Sequence, residues 1–284
     1  MPKTVLVTGA PSGIGSAIAQ LFHRRGFMVY GTSRSADPGS NTEFPMLQLD
    51  VNSNASAQAC VNEVLARAGR LDILVNNAGF ALSGAAEETS IEEAKEQFET
   101  NFFGVVRMVK AVLPAMRGAR SGRIITIGSL AGLVGLPYSA FYSGSKFALE
   151  GYLEALWFEL TPFGISVSLI EPGYVQTPIS KAMRIAADPI AAYDGPRDRA
   201  IATVDRSVGK GIAPEVVANT VFRAAQSRKP RLRYRVGADS RWLPRLKSIA
   251  SWNFFAYGVR KTFELDSKSR LEHTARTGSQ QPLR

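Results

Sequence analysis

The stretch VLVTGAPSGIG (residues 5–15) joins a short apolar run to a loop with three glycines, Gly9, Gly13 and Gly15, and Thr8 stands just before the first. Glycines between a strand and a helix permit a tight turn and let another group come close to the backbone. The helix beyond them offers unpaired N–H groups and a positive dipole end to an anion, and a pyrophosphate suits that description. Pro11 inside the loop has no N–H, so phosphate contacts there must come from its neighbours.

Outward from this loop the chain alternates. TVLVTG (4–9), FMVYGTS (27–33), MLQLDV (46–51), LDILVNNAG (71–79), GRIITIGS (122–129) and ISVSLIEPG (165–173) are short apolar runs. Such runs predict strands buried on both faces of a parallel sheet. Helical patterns lie between them: 12–26 closing on Gly26, 53–69 closing on Gly69, and one long helix over 90–118 opened by a Ser90/Glu93 capping box. Two more cover 139–164, stopping near Pro162 and Gly164, and 213–227, with Pro214 in the first turn. In RLRYRVG (231–237), Leu232, Tyr234 and Val236 alternate with arginines, which predicts a half-exposed strand at or near a sheet edge. The alternation predicts an α/β fold, a doubly wound parallel sheet with helices on both faces, as one domain over 1–265. Ligands bind outside the carboxyl ends of strands in such sheets. The weakly periodic segment 179–213 is therefore a candidate substrate lid, with an ordinary surface loop as the alternative. Residues 238–265 form a C-terminal extension, and the polar tail 266–284 is expected to fray.

Composition narrows the function classes. Of 284 residues, 45% are hydrophobic and 20% charged, as in soluble globular proteins. A single Cys60 excludes a disulfide framework, and two histidines, His23 and His273, argue against a metal site. No signal peptide is visible, and no apolar run approaches the ~20 residues that span a bilayer, so a cytoplasmic protein is expected. The net charge of +10 lies entirely after residue 225, where 14 basic residues face 4 acidic ones. The body is neutral, and no nucleic-acid partner is expected of it. The basic end is read as a solvated surface, with a membrane-surface or anion contact as alternatives.

Further motifs follow in order. The loop reads T-G-x-x-x-G-x-G; NNAG (76–79) ends the fourth strand; Asn101 lies in the next helix; Ser129 ends the fifth strand. YSGSK puts Tyr142 and Lys146 on one helix face, and PGYVQT (172–177) follows the sixth strand. Over roughly 3–178 this set resembles the short-chain dehydrogenase/reductase family, a Rossmann-type fold. The chemistry is coherent. Free tyrosine titrates near pH ~10, and a nearby ammonium lowers that value. Tyr142 can then exchange a proton with a carbonyl or hydroxyl oxygen that Ser129 holds, while a nicotinamide carries the hydride.

The resemblance implies Asn101, Ser129, Tyr142 and Lys146 as the catalytic set. Lys146 would also hold the nicotinamide ribose, and Asn101 would position a water in a proton relay. It implies cofactor contacts from Gly9, Ser12, Gly13, Ile14, Gly15, Ser33, Arg34, Asp50, Val51, Asn77, Ala78 and Gly79. Tyr142, Lys146, Pro172, Gly173, Val175 and Thr177 complete that set. Asp50 resembles the family's adenine-contacting aspartate, with a strand-end cap as its other reading. Homodimers or homotetramers through residues 90–118 and 140–161 are implied as well.

At the end of the second strand Thr32 and Ser33 are neutral and Arg34 follows, which suits a 2′-phosphate and predicts NADP. Asp37 could reach the ribose by another loop path. The stretch 141–173 looks similar to the hydroxysteroid and retinol dehydrogenase branch, which implies an apolar alcohol or ketone substrate. Leu130, Leu136, Phe141 and Tyr174, with the lid, are its expected lining. In 241–263, Trp242, Leu243, Leu246, Ile249 and Phe254 are expected to cover the pocket or meet a partner subunit. A membrane surface, with arginines toward the headgroups, is the alternative. Pro244 is expected to limit any helix there to starting around it. The sequence thus predicts an NADP-dependent oxidoreductase that interconverts a hydroxyl and a carbonyl with Tyr142 as general acid/base. The competing readings are a catalytically silent dinucleotide-binding sensor or scaffold, and a peripheral membrane protein working through its basic segment.

Overall fold

The structure is a computed structural model that describes residues 2–35, 43–177 and 183–266. Seven parallel strands form its sheet: β1 (Thr4–Val7), β2 (Met28–Ser33), β3 (Met46–Gln48), β4 (Ile73–Asn76), β6 (Gly122–Ile127), β7 (Ile165–Pro172) and β9 (Arg233–Val236). Their order is β3-β2-β1-β4-β6-β7-β9. The chain therefore winds outward from β1 on one side, then crosses to β4 on the other. A crevice opens at that reversal, beyond the carboxyl ends of β1 and β4. A small second sheet pairs β5 (Leu82–Ser83) with β8 (Arg184–Ile185).

Helices cover both faces because both faces are apolar. The side chains of Leu6, Leu74, Ile124 and Leu169 pack under α2 (Asn54–Ala68), α4 (Gly104–Gly118) and α5 (Ala140–Leu160). On the other face Val5, Val7, Ile73 and Ile125 pack under α1 (Gly13–Arg24) and α7 (Pro214–Gln226), around Phe22 and Val221. Each fully buried side chain of this kind contributes about 1.5–3 kcal/mol relative to leaving it in water. The edge strand β9 carries arginines that are paired rather than free. Arg233 Nε donates to Glu150 Oε2 at 2.8 Å, and Arg235 Nε to Glu171 Oε2 at 3.3 Å.

Three expectations change. The long helix over 90–118 is divided into α3 (Ile91–Phe98), a π-helical turn (Glu99–Phe103) and α4. The Ser90/Glu93 capping box opens α3 as expected. The wider turn adds a residue and swings Asn101 inward, where it is buried. Within the lid segment, Asp194–Gly209 forms a helix of 16 residues, α6. Its period was hidden because two inward positions are polar, Arg197 and Thr203. Arg197 pairs with the buried carboxylate of Glu88, which also accepts from the Ala85 and Ile190 amides at 2.7 and 2.9 Å. Finally, α8 (Ala238–Ile249) starts six residues before Pro244 and runs through it. Tertiary bonds hold its first turn: Asp239 Oδ2 accepts from Tyr174 N at 2.8 Å, and Ser240 Oγ donates to the Glu171 carbonyl at 2.6 Å. They outweigh the one hydrogen bond that the proline removes.

Helix α9 (Trp252–Thr262) follows. No helix among the described residues is long and apolar enough to cross a membrane. Asp37, His273, the first residues of the lid and all of the tail after Asp266 lie outside the described residues.

Breaking the Glu88–Arg197 pair leaves a carboxylate in a dry site. Arg197→Met is expected to lower the unfolding free energy by about 3 kcal/mol. Adding Glu88→Gln should recover part of that loss, and urea titration of both variants measures it.

Candidate active site

Thr8 and Asn77 build the crevice. Thr8 Oγ1 accepts from the amides of Asn77 and Ala78 at 2.9 and 3.0 Å. Asn77 Nδ2 returns bonds to the Thr8 and Gly9 carbonyls at 3.0 and 2.9 Å. The ends of β1 and β4 are thus stapled together. Gly9 has a φ of +66°, and a Cβ there would stand 3.0 Å from Ala78 Cα. A Cβ on Gly15 would overlap the Gly9 carbonyl and stand 2.5 Å from Asn77 Nδ2. Part of the close approach announced by the glycines is therefore the loop folding on itself and on Asn77. Ser12 precedes α1 in extended conformation and makes no side-chain cap, so it leaves the first-turn N–H groups to the crevice.

The crevice is a cavity of about 610 Å³. Gly9, Ser12, Gly13 and Ile14 form one wall, Ser33 and Arg34 the far end, and Asp50 and Val51 a flank. Asn77, Ala78, Gly79 and Thr177 close the near side. Asp50 Oδ1 accepts from the Asn52 amide at 3.0 Å, as a strand-end cap does. Gly15 serves by packing under the loop. The sequence reading missed Arg184 of β8, which lines the crevice, lies 4.3 Å over the Phe80 ring and pairs with Glu96 at 2.9 Å. No periodicity or motif marks that position.

A second cavity of about 160 Å³ adjoins the first and shares Ile14, Asn77, Gly79, Phe80 and Thr177 with it. Ser129, Tyr142, Lys146, Pro172, Gly173 and Val175 line it. Its apolar wall includes Leu130, Leu136 and Tyr174, with Met183, Val204 and Val208 from the lid segment. Phe141 is not part of that lining. It precedes Tyr142 on α5, and one residue is about 100° of helix rotation. Nor does any residue of α8 or α9 line either cavity, which corrects the reading of Trp242, Leu243, Leu246, Ile249 and Phe254 as a pocket cover.

Ser129 sits beyond β6, where its Oγ accepts from Ala131 N at 3.0 Å, and it faces the Tyr142 hydroxyl closely enough to favour its ionised form. Tyr142 and Lys146 keep some surface on the cavity, yet protein surrounds both. Burial raises the Tyr142 phenol above its usual value, and the Ser129 hydroxyl beside it only partly opposes this. The lowering expected from Lys146 is not what the geometry gives. Lys146 Nζ donates to the Ile127 carbonyl at 3.0 Å and lies 5.8 Å from the centre of the Tyr142 ring. Burial brings the lysine itself from 10.5 down to about 8. Burial therefore favours the neutral form of the phenol.

Asn101 lines neither cavity. Its Oδ1 accepts from Phe80 N at 3.0 Å, and its Nδ2 donates to Phe80 O at 2.9 Å and to Ser145 Oγ at 3.3 Å. Ser145 Oγ in turn donates to the Tyr142 carbonyl at 2.7 Å. Asn101 thus holds the loop after β4 against α5 and acts as a positioning residue. Asp239, which sequence reasoning missed because only folding brings it to the turn after β7, holds the Tyr174 amide beside the second cavity.

With this geometry in place, the chain belongs to the short-chain dehydrogenase family, whose model matches residues 3–188. It is an oxidoreductase of that family, similar to the hydroxysteroid and retinol dehydrogenase branch. A 3-ketodihydrosphingosine reductase of Bacteroides thetaiotaomicron is 40% identical over 86% of this chain and 94% of that protein. Retinol dehydrogenase 8 of Bos taurus is 42% identical over 62% of this chain and 60% of that protein. The crystal structure of a short-chain dehydrogenase from Streptomyces avermitilis superposes with a TM-score of 0.76 at 32% identity, over 90% of this chain and 99% of that one.

Two outcomes test the site. Thr8→Val keeps the shape but leaves two amides without an acceptor, and it should cost about 2 kcal/mol in urea unfolding. For Lys146, unfolded chains titrate near 10.5 and the folded chain near 8. Between those values the unfolded chain binds more protons, so stability rises with pH, and the full cost of burial is present below the window. The stability of wild type relative to Lys146→Met should therefore improve as pH rises from 8 toward 10.5, and should be flat below it. Unfolding titrations at a series of pH values would show this, and a pH-independent difference would disprove it.

Proposed function

We propose that this protein is an NADP-dependent oxidoreductase interconverting a hydroxyl and a carbonyl on an apolar substrate, with Tyr142 as general acid and base. The observation that supports this most is the meeting of the two cavities: a long crevice at the glycine loop opens onto a smaller apolar one that holds Ser129, Tyr142 and Lys146. The residues fit a dinucleotide. The crevice runs from Arg34 past the start of α1 to the loop after β4, and a Cβ at Gly9 or Gly15 would disrupt its wall. When bound, the nicotinamide supplies or accepts the hydride.

The chain's own residues do the rest. Tyr142 gives its proton to the carbonyl oxygen in reduction and takes one from the hydroxyl in oxidation. Ser129 bonds the same oxygen and keeps it in line. Lys146 carries the positive charge beside the phenol and would hold the ribose, and Asn101 keeps the loop after β4 in place. Arg34, beside neutral Thr32 and Ser33, suits a 2′-phosphate. Leu130, Leu136, Tyr174, Met183, Val204 and Val208 exclude water and favour an apolar substrate. The names of the two relatives, a keto reductase and a retinol dehydrogenase, support a keto or hydroxyl group as the reacting centre. Exposed Phe147 and Phe158 on α5 support a homodimer or homotetramer through the long helices.

Oxidation of NADPH and NADH against apolar ketones and aldehydes, steroids and retinal included, tests the reading. Tyr142→Phe should lower kcat by about 10²–10⁴-fold with little change in cofactor affinity. Arg34→Ser should raise KM for NADPH about tenfold and leave NADH unaffected. A preference of wild type for NADH would overturn the cofactor assignment, and full activity in Tyr142→Phe would overturn the proton donor.

A further inference from the structure

The proposed oxidoreductase chemistry leaves α8 and α9 unused. Six of the thirteen exposed large hydrophobic side chains among the described residues fall within residues 242–257, so the exposure is concentrated rather than scattered. Trp242 is 68% exposed, Ile249 82% and Trp252 69%, joined by Leu246, Phe254 and Tyr257. Trp242, Leu246 and Ile249 stand at i, i+4 and i+7, on one face of α8. The opposite edge of the pair is well anchored. Leu243, Phe255 and Val259 pack on Leu130 and Val134, and Lys247 Nζ donates to the Leu133 carbonyl at 2.9 Å. The outward exposure is thus a property of a firmly seated element.

The charge around this face indicates what covers it. Arg241, Arg245 and Lys261 are exposed and form no ion pair among the described residues. Arg245 instead lies 5.8 Å from the Trp242 ring centre. The one acid in α8, Asp239, is turned inward onto Tyr174 N. A second copy of this chain would bring the same cations to the contact and oppose them. Nucleic acid would accept the arginines but gives no reason for Leu246 and Ile249. Tryptophan and tyrosine beside aliphatic residues, with arginine and lysine at the margin, suit the headgroup boundary of an anionic bilayer.

We propose that α8 and α9 dock this protein on an anionic membrane surface, with Trp242, Ile249 and Trp252 entering the headgroup boundary and Arg241, Arg245 and Lys261 meeting acidic headgroups. The same helices back the 130–134 turn, whose Leu130 lines the apolar cavity from the other side. Docking would therefore place that cavity's wall next to the lipid phase. The inference stands apart from the catalytic reading, because it rests on neither cofactor nor turnover.

Flotation of the full chain tests it, with phosphatidylcholine vesicles prepared with and without phosphatidylserine. Wild type should float with phosphatidylserine vesicles, less so at high salt, and not with phosphatidylcholine alone. Trp242→Glu with Ile249→Glu should reduce the bound fraction about tenfold or more, and Arg241→Glu with Arg245→Glu should do likewise. Thermal melts matching wild type show that these variants are folded, and none of them touches either cavity. Absence of flotation by wild type would overturn the proposal, as would binding that the folded variants retain. So would a fall in oligomer size in Trp242→Glu with Ile249→Glu without vesicle binding by wild type, which would make this face a subunit contact.

Discussion

Thr8 and Asn77 hold together the place where the sheet divides. A doubly wound sheet must send its chain away from β1 in both directions, so the carboxyl ends of β1 and β4 are left side by side with diverging loops. Four hydrogen bonds between Thr8–Gly9 and Asn77–Ala78 close that gap. Gly15 then packs against the Gly9 carbonyl, α1 begins over the crevice, and Asn101 pulls the next loop residue, Phe80, toward α5. Each later feature of the site inherits its position from this staple.

The electrostatics of the site follow from enclosure more than from pairing. Low local dielectric disfavours charge on both partners, so it pushes Tyr142 up and Lys146 down. A lysine near 8 still carries most of its charge at neutral pH, while the phenol keeps its proton. A bond from Nζ to the Ile127 carbonyl fixes the lysine below the ring instead of at the hydroxyl. The cation is thus held away from the phenol oxygen, and burial sets the direction of the Tyr142 shift.

Polar anchors decide where the outer elements sit. Arg197 fastens α6 to Glu88, which brings Val204 and Val208 to the apolar cavity. Asp239 and Ser240 fasten α8 to the end of β7, which is also the turn carrying Gly173 and Tyr174. Removing charges from water is costly unless they are fully bonded, so these anchors tolerate few alternative arrangements. They make the cavity wall specific even though its lining is merely apolar.

Much of this was legible in the chain itself. Apolar runs between helical patterns gave the parallel sheet, because strands buried on both faces have no polar side to show. The glycine loop, Asn77, Ser129, Tyr142 and Lys146 were readable because each lies at the end of a strand or on one face of a helix. Local rules cover such positions. What the sequence could not disclose depended on distant contacts. The π-helical turn exists to turn Asn101 toward Phe80, and α6 lost its apolar period to an arginine whose partner lies 109 residues away. Arg184 and Asp239 reach their sites from segments without a motif, and the direction of the Tyr142 shift came from how much protein surrounds it. Periodicity and spacing report on neighbours along the chain. Burial and ion pairing are properties of neighbours in space, and only the folded arrangement supplies them.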